Sequence, residues 1–217
     1  MNKVDYKKED KDLYQPKTEP SEIFVPAMNF IMIDGKGDPN TKGGEYEKAL
    51  ELLYALTFTI KMSVKSGREP EGYFEYAVPP LEGLWWMEED NCMDFTRKDK
   101  YCWTSMIRQP GFVTEEVFGW ACGEVSRKKP DLDIKKARLR TYEEGFCVQL
   151  MHIGSFDEET RSVKKIDVYV KEHDLKNDIS AVLPDGNIRR HHEIYLSDPR
   201  KAKPENLKTV IRHPVRK

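Results

Sequence analysis

The run His191-His192-Glu193-Ile194-Tyr195-Leu196 places a carboxylate, a phenol and two imidazoles in one short, β-rich segment. Side chains alternate along a strand, so Glu193 and Tyr195 project from one face while Ile194 and Leu196 project from the other. A carboxylate can take a proton from water, and a phenol can give one to an oxygen on which negative charge develops. Together they hold the components of a general acid–base hydrolysis. Burial would raise the carboxyl pKa, and a nearby cation or donor would pull it back. Spacing alone favours a plainer arrangement, an edge-strand glutamate facing water beside a histidine partner.

Other hydroxyls could serve as the donor: Tyr54, Tyr76 and Tyr142 lie on other elements, and spacing does not choose among them. His152 could also donate, but a single histidine in a strand reads first as a satisfied structural group. The chain has 4 Trp, 10 Tyr and 9 Phe, so much of its apolar surface is in rings that stack on flat ligands and attract cations. Trp85, Trp86 and Trp103, with the Tyr73, Phe74 and Tyr76 strand, are the candidates for such a surface. Adjacent Trp85 and Trp86 must face opposite ways on a strand, one in the core and one towards a ligand. Trp120 fits helix packing instead.

Several chemistries lack support. His191 and His192 point to opposite faces and have no third ligand at convincing spacing, so no metal site is expected. Cys92, Cys102, Cys122 and Cys147 form no C-x-x-C pair and read as reduced, ordinary thiols. Gly35-Lys36-Gly37 lacks the rest of a phosphate loop or dinucleotide fingerprint, and no cofactor is expected. Lys+Arg 36 against Asp+Glu 38 gives a formal charge of -2, which offers no general attraction to nucleic acid or an anionic membrane. The polar start shows no signal peptide and no membrane span is read anywhere, which implies a cytoplasmic protein. The basic residues Arg200, Lys201, Lys203, Lys208, Arg212, Arg216 and Lys217 read as a solvated tail.

The elements that must position these groups follow from periodicity. A polar arm over 1–22 is either frayed or laid on the domain surface. Phe24 to Ile33 reads as a strand, stopped by Asp34-Gly35-Lys36-Gly37-Asp38-Pro39. Tyr46, Ala49, Leu50, Leu53, Leu56, Ile60 and Val64 recur at helical spacing, ending near Gly67. Strands are expected at Tyr73–Val78, Leu81–Met87 and Tyr101–Ile107, then a helix capped by Thr114 and closed by Lys128-Lys129-Pro130. Phe146–Ile153 reads as a strand, Ser155 to Glu158 has capping-box spacing, Val163, Ile166, Tyr169 and Val170 mark a helix face, and His192–Leu196 is a last strand. Setting Gly154 over Gly35 aligns the two halves. The expectation is an α+β fold: two similar units joined into one curved antiparallel sheet, with helices on one side.

Phe30-Ile31-Met32-Ile33-Asp34-Gly35-Lys36-Gly37-Asp38-Pro39, Met151-His152-Ile153-Gly154-Ser155-Phe156 and Glu193-Ile194-Tyr195-Leu196-Ser197-Asp198-Pro199 together resemble the GyrI-like small-molecule-binding domain. The resemblance runs from about Phe24 to Pro214 and implies tandem βαββ repeats with a cleft at their junction. Repeat one then covers about 24–110, a connecting helix about 113–129 and repeat two about 138–200, within a single domain over 23–214. In this family the cleft is walled by aromatic residues and holds a buried glutamate from the last strand, a place that Glu193 fits. Leu81-Glu82-Gly83-Leu84-Trp85-Trp86 and Ile107-Arg108-Gln109-Pro110-Gly111-Phe112-Val113-Thr114 further resemble a branch that hydrolyses cyclopropane-bearing alkylating compounds. The resemblance thus implies an aromatic or cationic small-molecule ligand, with Glu193 and Tyr195 as catalytic candidates and hydrolysis serving self-protection. It leaves open a non-catalytic drug-sequestering protein or a gyrase-inhibitor-like interaction protein. Oligomeric state is not encoded legibly.

Overall fold

The computed structural model describes residues 3–88 and 97–217. In chain order the elements are α1 (Tyr6–Glu9), α2 (Lys11–Tyr14), β1 (Ser21–Val25), β2 (Met28–Lys36), α3 (Glu45–Lys61), β3 (Leu81–Met87), β4 (Tyr101–Gln109) and α4 (Glu115–Lys128). They continue with β5 (Ala137–Tyr142), β6 (Gly145–Ile153), α5 (Thr160–Glu172), β7 (Lys176–Asn177), β8 (His191–Tyr195) and β9 (Lys208–Arg216). The strands form one open, curved sheet in the order β1-β6-β9-β8-β3-β4-β2-β5, with β7 paired to β9. Every pairing between these strands is antiparallel.

Two copies of one path make up the centre. β2-α3-β3-β4 and β6-α5-β8-β9 each place their last strand between the other two, and they meet where β3 pairs with β8. The three long helices share one face of the sheet. α3 and α4 bury Leu52, Leu53, Leu56, Val117, Phe118 and Ala121 against Ile31, Ile33, Trp103 and Ile107. At the other end α5 buries Ile166 and Val170 against Val148, Leu150, Ile211 and Val215. Helical spacing of apolar residues explains both packings. Between these two apolar centres lies the junction strand pair, and Glu193 sits on it opposite Gly83.

The second face carries Phe30, Met32, Leu84, Met106 and Tyr142 at one end and Cys147, Met151, Ile194 and Val210 at the other. The N-terminal arm covers the latter group with Leu13 and Tyr14. Polar contacts fix the arm: Arg108 reaches Asp10 at 2.6 Å, Gln149 donates to the Asp12 carbonyl at 2.6 Å, and Arg212 donates to the Leu13 carbonyl at 2.9 Å.

Four sequence expectations change. The expected strand Phe24–Ile33 is broken at Pro26-Ala27 into β1 and β2, which pair with different partners. Tyr73–Val78 forms no strand; Tyr76 makes one isolated parallel bridge to Val4. β5 was not anticipated. The supposed basic tail contains β9, which runs through the sheet between β6 and β8 and carries Arg212 at 1% exposure. Repeat two therefore extends past residue 200. Cys102, Cys122 and Cys147 are free thiols, while Cys92 lies outside the described residues.

Candidate functional site

Because β8 alternates, His191, Glu193 and Tyr195 share the helix-covered face. Glu193 is 7% exposed. One oxygen of Glu193 accepts from His191 Nε2 at 2.9 Å, and the other accepts from the Tyr195 hydroxyl at 2.7 Å. The Tyr195 oxygen in turn accepts from Trp85 Nε1 at 2.9 Å. Behind His191, its Nδ1 meets His213 Nε2 at 2.7 Å. Burial pushes His213 well below the usual histidine range, so it is neutral. Burial alone would raise the Glu193 carboxyl. Hydrogen bonds from His191 and Tyr195, with charge at His191, more than offset that and hold it below its ordinary value. An ionised carboxylate therefore lies in an enclosed, ring-lined place.

The surroundings come from both repeats. From α3, Tyr46 lies 5.6 Å from the Trp85 ring and edge-on to Trp103 at 5.0 Å. Burial and the Glu193 charge raise the Tyr46 hydroxyl pKa, while contacts with Ser105 and Tyr195 pull it back. From the turn before α5, Phe156 packs edge-on against Tyr195 at 5.7 Å. Glu159, 1% exposed, approaches from the same side. Burial, then the Glu193 charge, raise its carboxyl well above the ordinary range, so Glu159 keeps a proton where Glu193 does not. Glu159, His191 and Glu193 offer donor atoms within 4.8 Å of one another, the spacing a small divalent cation would need. The same three groups are close enough to share a proton, with Glu193 also accepting from His191 and Tyr195.

Of the residues singled out in the sequence, Glu193, Tyr195 and Trp85 come together. His152 lies on the same face, but Ser162 and the Ser155 carbonyl satisfy its two nitrogens at 2.9 and 3.0 Å. Trp103 is core beneath Tyr46. Tyr54 sits further along the α3 stripe, half exposed, where Arg200 and Asp198 influence its hydroxyl. Three candidates lie away from Glu193. Trp86 faces the opposite side of β3, with Arg190 stacked 4.6 Å over its ring. Tyr142 is core on that same opposite face. Tyr76 packs against Phe112 at 5.9 Å in the α3–α4 core, because its segment never joins the sheet as a strand.

The sequence reading missed Tyr46, Phe156, Glu159 and His213. Tyr46 belongs to the apolar α3 stripe, whose spacing reads as core. Glu159 directly follows the capping box that Ser155 and Glu158 form, and nothing in the sequence marks it as buried. Gly83 lies on β3 directly opposite Glu193. A β-carbon there would meet Trp85 Nε1 at 2.6 Å and the Tyr195 hydroxyl at 3.2 Å. Gly83→Ala is thus expected to break the Trp85–Tyr195 hydrogen bond and to destabilise the fold by ~1–3 kcal/mol. Ligand titration and thermal melts of the variant check both effects.

A second polar cluster is buried on the other face. His192 lies between Glu82 at 3.0 Å and Glu144 at 2.9 Å, and Arg212 also reaches Glu144 at 3.1 Å. Both imidazole nitrogens face carboxylates, so the ring is an imidazolium. An open groove of about 740 Å³ also lies on this side, between the N-terminal arm and the ends of β6 and β9, lined by Tyr14, Pro16, Lys17, Met151, Leu196 and Lys208. Asp5, Lys8 and Glu19 also line it.

The GyrI-like small molecule binding domain matches residues 18–216. The chain belongs to that family. A structure described as a hydrolase from Listeria innocua is 48% identical, with a TM-score of 0.86 over 99% of this chain and 100% of its own. A second Listeria innocua hydrolase structure is 49% identical, with a TM-score of 0.88 over the same shares. An uncharacterized conserved protein from Listeria innocua is 50% identical, with a TM-score of 0.90, again over 99% of this chain and 100% of its own. No curated protein matches the chain. Among the described residues no helix is long and apolar enough to cross a membrane.

Proposed function

We propose that this protein binds an aromatic small molecule over the β3–β8 junction and hydrolyses it, with a strained, cyclopropane-bearing alkylator as the substrate class. The observation that carries this reading is the direct Tyr195–Glu193 hydrogen bond at 2.7 Å. It couples a base to a proton donor in one circuit. Glu193 removes a proton from water as the oxygen attacks the ring carbon. The ring C–C bond breaks, its electron pair runs to the conjugated carbonyl, and Tyr195 protonates that oxygen to give a phenol. Glu193 then returns its new proton to Tyr195, and the net change is addition of one water. Turning towards the substrate, Tyr195 gives up its bond to Glu193 and leaves that carboxylate more basic. Trp85, Tyr46 and Phe156 supply the flat surfaces that hold a fused aromatic ligand. Water-opened product no longer alkylates DNA, so hydrolysis would protect the cell.

The enclosure of Glu193 and the engagement of both its oxygens also suit a second reading, a protein that sequesters its ligand unchanged. Turnover separates the two. Mass spectrometry of a cyclopropane-bearing alkylator, incubated with protein at a catalytic ratio, is expected to show the water-added product over many turnovers. Binding without that product would favour sequestration.

A further inference from the structure

Resting on Glu193 as the base, we infer that Glu159 is its positioning residue: the two carboxyls share one proton between the start of α5 and β8, which leaves the base a single, oriented negative charge. Glu159 occupies the N-cap position of α5, yet its side chain makes no capping hydrogen bond. The helix dipole would favour a carboxylate turned towards the first turn, although the Ser155–Glu158 capping box already serves that end. Instead it turns inward, at 1% exposure, and brings a carboxyl oxygen within 4.8 Å of the Glu193 and His191 donor atoms. Its Oε1 is buried with no hydrogen-bond partner. A bare, ionised carboxylate oxygen at that depth would be costly, whereas a neutral carboxyl acting as donor to Glu193 is not.

The groups facing Glu159 agree with this arrangement. Glu193 on β8 and Asp157 in the preceding turn repel a second charge. His191 is already committed to Glu193 on one side and His213 on the other. The Tyr195 hydroxyl also feels the Glu159 carboxyl, and His152 on β6 is held below the usual histidine range by burial and is neutral. The proton on Glu159 therefore keeps the pair from carrying two charges. It also leaves Glu193 pointing at Tyr195 rather than turning away from a like-charged neighbour.

Two measurements test the inference. In infrared difference spectra, wild-type protein is expected to show a buried protonated-carboxyl stretch at neutral pH that titrates away in alkali. Glu159→Gln should lack that band, and in Glu193→Gln it should titrate at lower pH because the neighbouring charge is gone. An unchanged band in Glu159→Gln would overturn the inference without any appeal to turnover. In pH–rate profiles, with circular dichroism confirming the fold at each pH, wild-type kcat/KM should fall on the alkaline side as Glu159 ionises. Glu159→Gln retains a neutral donor but cannot ionise, so its profile should lose that alkaline limb. A limb that persists in the variant would overturn the inference, as would Zn²⁺ binding by wild type that Glu159→Gln abolishes. Absence of turnover in wild type would count against the hydrolase reading alone, and the infrared result would still decide where the proton lies.

Discussion

Glu193→Gln is expected to lower turnover of a cyclopropane-bearing alkylator by ~10²–10⁴-fold, the usual contribution of a positioned general base. The substitution preserves volume and planarity. The Gln amide oxygen can still accept from one of the two donors, but its NH₂ now faces the other, so the ordered chain from Trp85 through Tyr195 to His191 loses one link. Leaving one buried donor without a partner costs ~1–3 kcal/mol of stability, which a melt will register. The aromatic walls are untouched, so affinity for a neutral, flat ligand should hold within a few-fold. Single-turnover kinetics beside calorimetric titration distinguish the outcomes. Lost chemistry with retained binding identifies Glu193 as the base. Lost affinity for a cationic ligand would instead make it an electrostatic partner, and unaltered turnover would move the base elsewhere.

How far the sequence carried this picture depended on period. α3 and β8 were legible because their apolar spacing and alternation are strong, and alternation alone put Glu193 and Tyr195 on one face. It also made Trp85 and Trp86 diverge, although not which way, since that depends on which strand lies beside β3. β9 was illegible because Lys208, Arg212 and Arg216 look like part of a solvated tail. Yet Arg212 is among the most buried side chains, its charge matched by Glu144 and its remaining donors by Gln149 and Leu13. Glu159 was missed for the same reason: a charged residue is read as exposed until a partner brought from far along the chain is seen. Tyr76 and Tyr142 failed differently. Their types suited an aromatic cleft, but an aromatic residue in a core has the same signature, and packing decided both.

The buried cluster on the second face leads to an expected stability window bounded on two sides. Burial would lower the His192 pKa, but Glu144 and Glu82 more than offset it and raise it to about 9. Burial would raise the Glu144 carboxyl, but His192 and Arg212 hold it down at about 2. A histidine raised in the folded state contributes stability that is complete below its unfolded value, near 6.5, and is lost as pH climbs through about 9. A carboxylate lowered in the folded state contributes stability that is complete above its ordinary value and is lost as pH falls through about 2. The His192 shift alone corresponds to about 3 kcal/mol, and because Glu144 reports the same contact the two are not summed. Urea midpoints followed by tryptophan fluorescence should therefore be level near neutrality and drop between pH 7 and 10. His192→Gln should flatten the alkaline part of that curve. Arg212→Met should cost ~3–5 kcal/mol at neutral pH, because it leaves the buried Glu144 charge without its guanidinium. It also removes the Arg212 bond to the Leu13 carbonyl, so the N-terminal arm should become the first segment cut by protease. A wild-type midpoint unchanged from pH 7 to 10 would show that His192 is not the charged centre of this cluster.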